Sequence, residues 1–307
     1  MRAAGIMALG EPVEIFDVDE PTPPAAGEVL IDVAAAGIGN WDDLVRIGTW
    51  EIGGPPPIAL GTQAAGTIAA VGADVTGFRE GDEVLTHPLP LRRHGTWASR
   101  LLAPAASVAA RPNEVSWEVC AAFPIPALTA AQALDEELGI ESGDWVVVNG
   151  AGGVTGGMLV QLAAARGARV IATASAPKAE RIRGYGATEV LDYHDDWPSH
   201  VRELAAGGAS KAVNAAPGQE ATTLQAVADG GRFATITGDP PQEERGISIS
   251  DVYVRPDGLQ LSALAELLAK GALSVRIAAV RPFEQAADAL RDAVAGVDGA
   301  IVLSDFR

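Results

Sequence analysis

Residues 145–157 read WVVVNGAGGVTGG, from Trp145 to Gly157. A short apolar run stops at glycines and then passes into a helical pattern. Val146, Val147 and Val148 suit a strand buried on both faces of a parallel sheet. Gly150, Gly152 and Gly153 let the backbone turn tightly and approach a pyrophosphate, and a helix predicted over 154–166, starting at Val154, offers its first amides to that anion. The stretch therefore predicts an α/β chain with a doubly wound parallel sheet of the Rossmann type.

Against the dinucleotide fingerprint G-x-G-x-x-G the match is Gly150, Gly152 and then Thr155, so the third glycine is a threonine followed by Gly156 and Gly157. After the helix comes a second strand, RVIATA (169–174), and then Ser175, where an acidic residue would bind the ribose hydroxyls of NAD. No acid stands there. Ser175, Lys178 and Arg181 offer a hydroxyl and two cations, a set suited to the 2′-phosphate of NADPH. The bland alternative is a glycine-rich turn in an empty sheet with surface charges on its next helix.

The 307 residues exceed a usual single core and suggest about two domains, with 48% apolar content to bury both. One cysteine, Cys120, allows neither an internal disulfide nor a cysteine metal cage, and points to a reducing compartment. The opening MRAAGIMALGEP lacks the apolar core of a signal peptide and no run reaches transmembrane length. A cytoplasmic protein is expected. The net charge of −18 is scattered, which opposes binding to nucleic acid or anionic membrane, so an anionic cofactor needs a local cationic site.

Three textures follow one another. Residues 1–118 are rich in proline, glycine and short β-like runs (29–34, 66–71, 83–86), an irregular strand-rich domain. Residues 119–256 alternate strand and helix, with strands at 145–149, 169–174, 189–192, 211–215 and 232–237, a last strand near 246–254, and helices including 219–228. The tail, 257–307, carries two helices and a closing strand. At about fifty residues it is too short for a comfortable core of its own and must pack on another domain.

Motifs along the whole chain carry a resemblance: GEVLIDVAAAGIGNWDD (27–43), LGTQAAGTIAAVG (60–72), FREGDEV (78–84), HGTWAS (94–99), FPIPALTAAQAL (123–134), GAGGV, YGATEVLDY (185–193), GGRFATITG (230–238) and LLAKGAL (267–273). In this order they resemble the medium-chain dehydrogenase/reductase superfamily, in its zinc-free quinone oxidoreductase (zeta-crystallin-like) branch. The resemblance implies a GroES-like catalytic domain completed by the returning tail, an active site in the cleft beside the nucleotide domain, and a homodimer formed through the nucleotide-domain sheets.

It also implies site residues. Thr129 is assigned to the nicotinamide end, Gly152, Gly153 and Val154 to the pyrophosphate, and Ser175, Lys178 and Tyr193 to the 2′-phosphate and adenosine. Ala216, Thr237 and Gly238 follow later strands, at the carboxyl edge where such sheets bind ligands. Zinc alcohol dehydrogenases resemble the chain in fold, but their Gly-His-Glu segment is Gly61-Thr62-Gln63 here, so no metal is expected.

Without metal, the expected chemistry is hydride transfer from NADPH to a quinone or an α,β-unsaturated carbonyl, a small-molecule substrate. Where the family commonly places an asparagine this chain has Gly39, with Asn40 beside it as the candidate amide donor. Asp42 matches a family aspartate and reads either as catalytic or as a helix-start hydrogen bond. Trp41, and Trp50 where the family often has tyrosine, could wall a flat pocket or serve as core residues. Two rival functions stay open: an enoyl reductase tailoring a biosynthetic intermediate, and a nucleotide-binding protein with little turnover.

Overall fold

The computed structural model describes residues 1–91 and 94–306. Two compact units divide the chain, one made of Met1–Ile125 with the tail from Arg255 onward, the other of Pro126–Val254.

The second unit is built on a six-stranded sheet. Across it the order is Glu189–Leu191, Arg169–Thr173, Trp145–Asn149, Ala209–Asn214, Val227–Thr235 and Ser248–Asp251, and every neighbouring pair is parallel. Val146, Val147 and Val148 are fully buried, as strands covered on both faces require. Val154–Ala165, Ala176–Gly184, Trp197–Leu204 and Glu220–Gln225 are the helices between these strands. Trp197 and Phe233 anchor the core on one face with Val147 and Ile171. The chain builds outward in one direction from Trp145–Asn149 and then crosses back to Ala209–Asn214, so the topological switch lies between these two strands.

Among these elements the largest difference from the sequence reading follows the strand Ala209–Asn214. The helix predicted to 228 ends at Gln225, and the next strand starts at Val227, not 232. Val227 pairs with Ala209 ahead of a register shift, a long-range pairing that local pattern does not reveal.

In the first unit the long strand Glu28–Ile38 lies within a seven-stranded sheet and pairs with Ala64–Val71 and Arg100–Pro104. The tail strand Ala300–Ser304 pairs with the same strand, with Ile301 opposite Ile38, Val302 opposite Gly37 and Leu303 opposite Ala36. The tail helix Ala286–Ala295 sends Ala286, Ala289 and Leu290 into the core that holds Ile31, Ile68 and Trp97. The helix Trp117–Ala122 packs on Glu28–Ile38 and Ala64–Val71, which keeps it in this unit. Among the described residues no helix is long and apolar enough to cross a membrane.

Candidate functional site

Gly150, Ser175, Tyr193, Ala216 and Thr237 each stand one or two residues beyond the carboxyl end of a different strand of the second unit. That edge is where ligands of open α/β sheets bind. Gly150 adopts φ +83, a conformation that suits glycine, and turns the chain into the helix. Gly153, exposed and extended, caps Val154–Ala165 without a side chain, which leaves the first amides of that helix open to an anion.

The close-packing glycine of the fingerprint is displaced by one residue. A Cβ at Gly156 would lie inside van der Waals contact of the Gly150 carbonyl oxygen, so Gly156 takes the role that spacing assigns to position 155.

Above the turn stand two cations of the helix Ala176–Gly184. Lys178 Nζ donates to the Gly152 carbonyl at 3.3 Å and an Arg181 guanidinium nitrogen donates to the same oxygen at 3.5 Å. Ser175, half-buried, is the N-cap of this helix, and its side chain makes no capping bond. Tyr193 is 51% exposed and its ring centroid lies 4.1 Å from that of His194. His194 donates its backbone N–H to Asp192, and its ring stands 2.7 Å from the same carboxylate; together they hold that carboxyl below the usual range. Thr129 is buried on the helix Pro124–Ala131, and Gly238 turns at φ +75 after Thr237.

Sequence reasoning missed a second layer beneath these residues. Thr173, Asn149, Asn214, Thr223 and Glu220 form a buried hydrogen-bonded chain under the loops. The available signal was an asparagine closing an apolar run at the end of a strand, as after VVV in VVVN and after AV in KAVN.

In the first unit the stretch from Gly39 to Asp42 opens the helix Trp41–Ile47. Asn40 is exposed at the N-cap and makes no side-chain capping bond. The Trp41 ring lies directly over Gly39, where a side chain at position 39 would project. Its Nε1 is buried and has no hydrogen-bond partner. Asp42 is fully buried and its Oδ2 accepts the Gly39 N–H at 2.9 Å. Burial pushes its pKa up to about 8, against the lowering effect of the Gly39 N–H and the Thr62 hydroxyl. Trp50 is half-buried and packs against the core of the unit.

The residues at the zinc-ligand segment carry other bonds. The Thr62 carbonyl lies 2.7 Å from His87 Nδ1, the Gln63 side chain accepts the Ile125 N–H at 3.0 Å, and Gly61 turns at φ +91 against Trp97. Among the described residues no group of three histidine, cysteine, aspartate or glutamate side chains could hold a metal ion, so the donor set does not fit zinc.

Two families match by sequence: the Alcohol dehydrogenase GroES-like domain over residues 25–113 and Zinc-binding dehydrogenase over 154–264. A quinone oxidoreductase of Pseudomonas aeruginosa is 30% identical over 71% of this chain and 67% of its own length. The chain belongs to the medium-chain dehydrogenase/reductase superfamily. Solved members superpose over the whole chain. A protein described as an NAD-dependent alcohol dehydrogenase is 32% identical, covering 99% of this chain and all of its own, with a TM-score of 0.89. A mycobacterial protein complexed with NADPH is 28% identical, covering 99% and 100%, with a TM-score of 0.86. The chain spans under half the length of the synaptic vesicle VAT-1 homologues it also matches, 46% in the rat protein at 30% identity over 61% of this chain.

Proposed function

We propose that the chain is an oxidoreductase that uses NADPH to reduce a quinone or an α,β-unsaturated carbonyl, without metal. The observation that carries this reading is the carboxyl edge of the second unit. A glycine turn opens on a helix N-terminus, no acid stands at position 175, and Lys178 and Arg181 gather on the Gly152 carbonyl. An acid at 175 would repel a 2′-phosphate, whereas Ser175 can donate to it and the two cations can add charge-assisted bonds. The mycobacterial relative complexed with NADPH supports the cofactor, and the quinone oxidoreductase relatives support the acceptor class.

Gly150, Gly152, Gly153 and Val154 would hold the pyrophosphate, and Ser175, Lys178 and Tyr193 the phosphorylated adenosine. Thr129, Ala216, Thr237 and Gly238 would face the nicotinamide half. Bound NADPH supplies a hydride to an electron-poor carbon of the acceptor, chemistry that needs no Lewis acid when the product oxyanion is a quinol or an enolate. Asn40 is the exposed amide nearest to the family's donor position. Asp42, enclosed and bonded to the Gly39 N–H, would act through the turn that carries Asn40. With Gly61, Thr62 and Gln63 in place of the zinc segment, the described residues bring together no group of three side chains that could hold a metal ion. The exposed strand edge at Ser248–Asp251 would pair two copies as a homodimer.

Following NADPH oxidation at 340 nm against quinones, enones and enoyl thioesters tests the reading and sorts its substrate classes. Turnover confined to enoyl thioesters would replace it with the biosynthetic enoyl reductase.

A nucleotide-binding role with little turnover has one observation in its favour: the Trp41 ring fills the space in which the family's asparagine would project. Stoichiometric NADPH binding with no oxidation across the panel would favour it. Replacing the pair as Gly39→Asn with Trp41→Val should then raise turnover, whereas Gly39→Asn alone should be destabilising because the indole occupies the site.

A further inference from the structure

The two strands that flank the topological switch both end in asparagine, and Asn149 and Asn214 are paired in the parallel register. Asn149 Nδ2 donates to Asn214 Oδ1 at 3.0 Å and to Thr223 Oγ1 at 2.8 Å. Toward the glycine turn, the Thr173 hydroxyl donates to Asn149 Oδ1 and accepts the Gly150 N–H at 3.0 Å. Toward the other loops, Asn214 Nδ2 donates to the Ala216 carbonyl at 3.0 Å and reaches Glu220 Oε1 at 3.4 Å. Glu220, 7% exposed, also accepts the Gly218 N–H at 3.1 Å and the Thr237 hydroxyl at 2.7 Å.

The chain of bonds thus runs without a break from the backbone of the glycine turn to the loops after the fourth and fifth strands. The turn and the first of those loops are also in backbone contact, since a Cβ at Gly150 would come within 2.9 Å of the Ala215 carbonyl. A buried polar pair stabilises a fold little more than an apolar pair of the same shape. What distinguishes this one is that each end terminates on a ligand-facing loop.

We propose that Asn214 and Glu220 are positioning residues that lock the loop 215–219 and Thr237 to the glycine turn, so that both halves of the cofactor meet one preset geometry. The proposal rests on the NADPH reading of the same edge. The Thr237 hydroxyl donates to Glu220 and accepts from Asn214 Nδ2 at 3.3 Å, which makes it part of this lock.

The experiment measures affinity for NADPH and for 2′,5′-ADP, which lacks the nicotinamide half, in full-length Asn214→Leu, Glu220→Ala and Glu220→Gln. The first two variants should lose about tenfold or more in NADPH affinity while 2′,5′-ADP stays within about twofold, and Glu220→Gln, which keeps an acceptor for Gly218 and Thr237, should recover most of the loss. Unchanged NADPH affinity in folded Asn214→Leu and Glu220→Ala overturns the proposal. So does an equal loss for both ligands, which marks general loosening of the unit. If Asn214→Leu fails to fold, the two Glu220 variants carry the comparison. A wild-type protein that binds neither NADPH nor NADH removes the cofactor reading and this proposal with it, an outcome distinct from the other two.

Discussion

At Gly156 two effects of opposite sign meet. In an exposed helix, alanine is favoured over glycine by about 1 kcal/mol, so Gly156→Ala would ordinarily stabilise Val154–Ala165. Here the new methyl would press on the Gly150 carbonyl oxygen, which is backbone and cannot swing away. Overpacking of this kind costs about 1–3 kcal/mol and outweighs the propensity gain. Gly156→Ala should therefore lower the melting temperature and weaken NADPH binding, while Thr155→Gly, which restores the usual fingerprint, should leave NADPH binding intact; melts with and without cofactor check both. Asp42 offers a test in pH. Its carboxyl titrates near 8 in the folded protein against 3.8 for the free side chain, so between those values the folded state holds a proton that the unfolded chain has released. Stability from this group is complete below 3.8, falls as the pH rises toward about 8, and is level above it. Asp42→Asn keeps an acceptor for the Gly39 N–H and should flatten that fall, measured as melting temperature from pH 5 to pH 9. A variant with the wild-type slope would place the titration elsewhere.

The helix Ala176–Gly184 acts as one element, since Ser175 opens it and Lys178 and Arg181 lie one turn apart on the face that reaches Gly152. A lost charge-assisted hydrogen bond of about 1.5–3 kcal/mol corresponds to roughly ten- to a hundredfold in affinity, the loss expected for NADPH in Lys178→Ala. The position of the ammonium over the glycine turn adds something the sequence did not supply: part of the loss should extend to NADH, because the pyrophosphate is common to both cofactors. Ser175→Asp combined with Lys178→Ala should reverse the preference toward NADH. Titration of both cofactors into wild type and variants decides it, and equal wild-type affinities would mean that the 2′-phosphate is not read by this helix.

For the whole molecule, the bonds made by Thr62 and Gln63 and the absence of a three-ligand group among the described residues predict that the purified protein carries no stoichiometric zinc and keeps its activity in chelator. Elemental analysis with about one tightly held zinc per chain, and activity lost on chelation, would overturn that expectation.

The alternation of strand and helix over 145–254, the glycine turn and the want of an acid at 175 were legible in the sequence, because burial periodicity and backbone sterics are local and are written in neighbouring residues. The sequence placed Gly150, Ser175, Tyr193, Ala216 and Thr237 after their strands for the same reason. Long-range packing made Gly156 the close-packing glycine, brought two cations to one carbonyl, set the Trp41 ring where a side chain at 39 would stand, and joined Asn149 to Asn214. It also laid the tail strand Ala300–Ser304 against Glu28–Ile38, some 260 residues away in sequence. Each of these depends on which distant segments share a surface, and a polar residue closing an apolar strand does not reveal its partner until the neighbouring strand is in place.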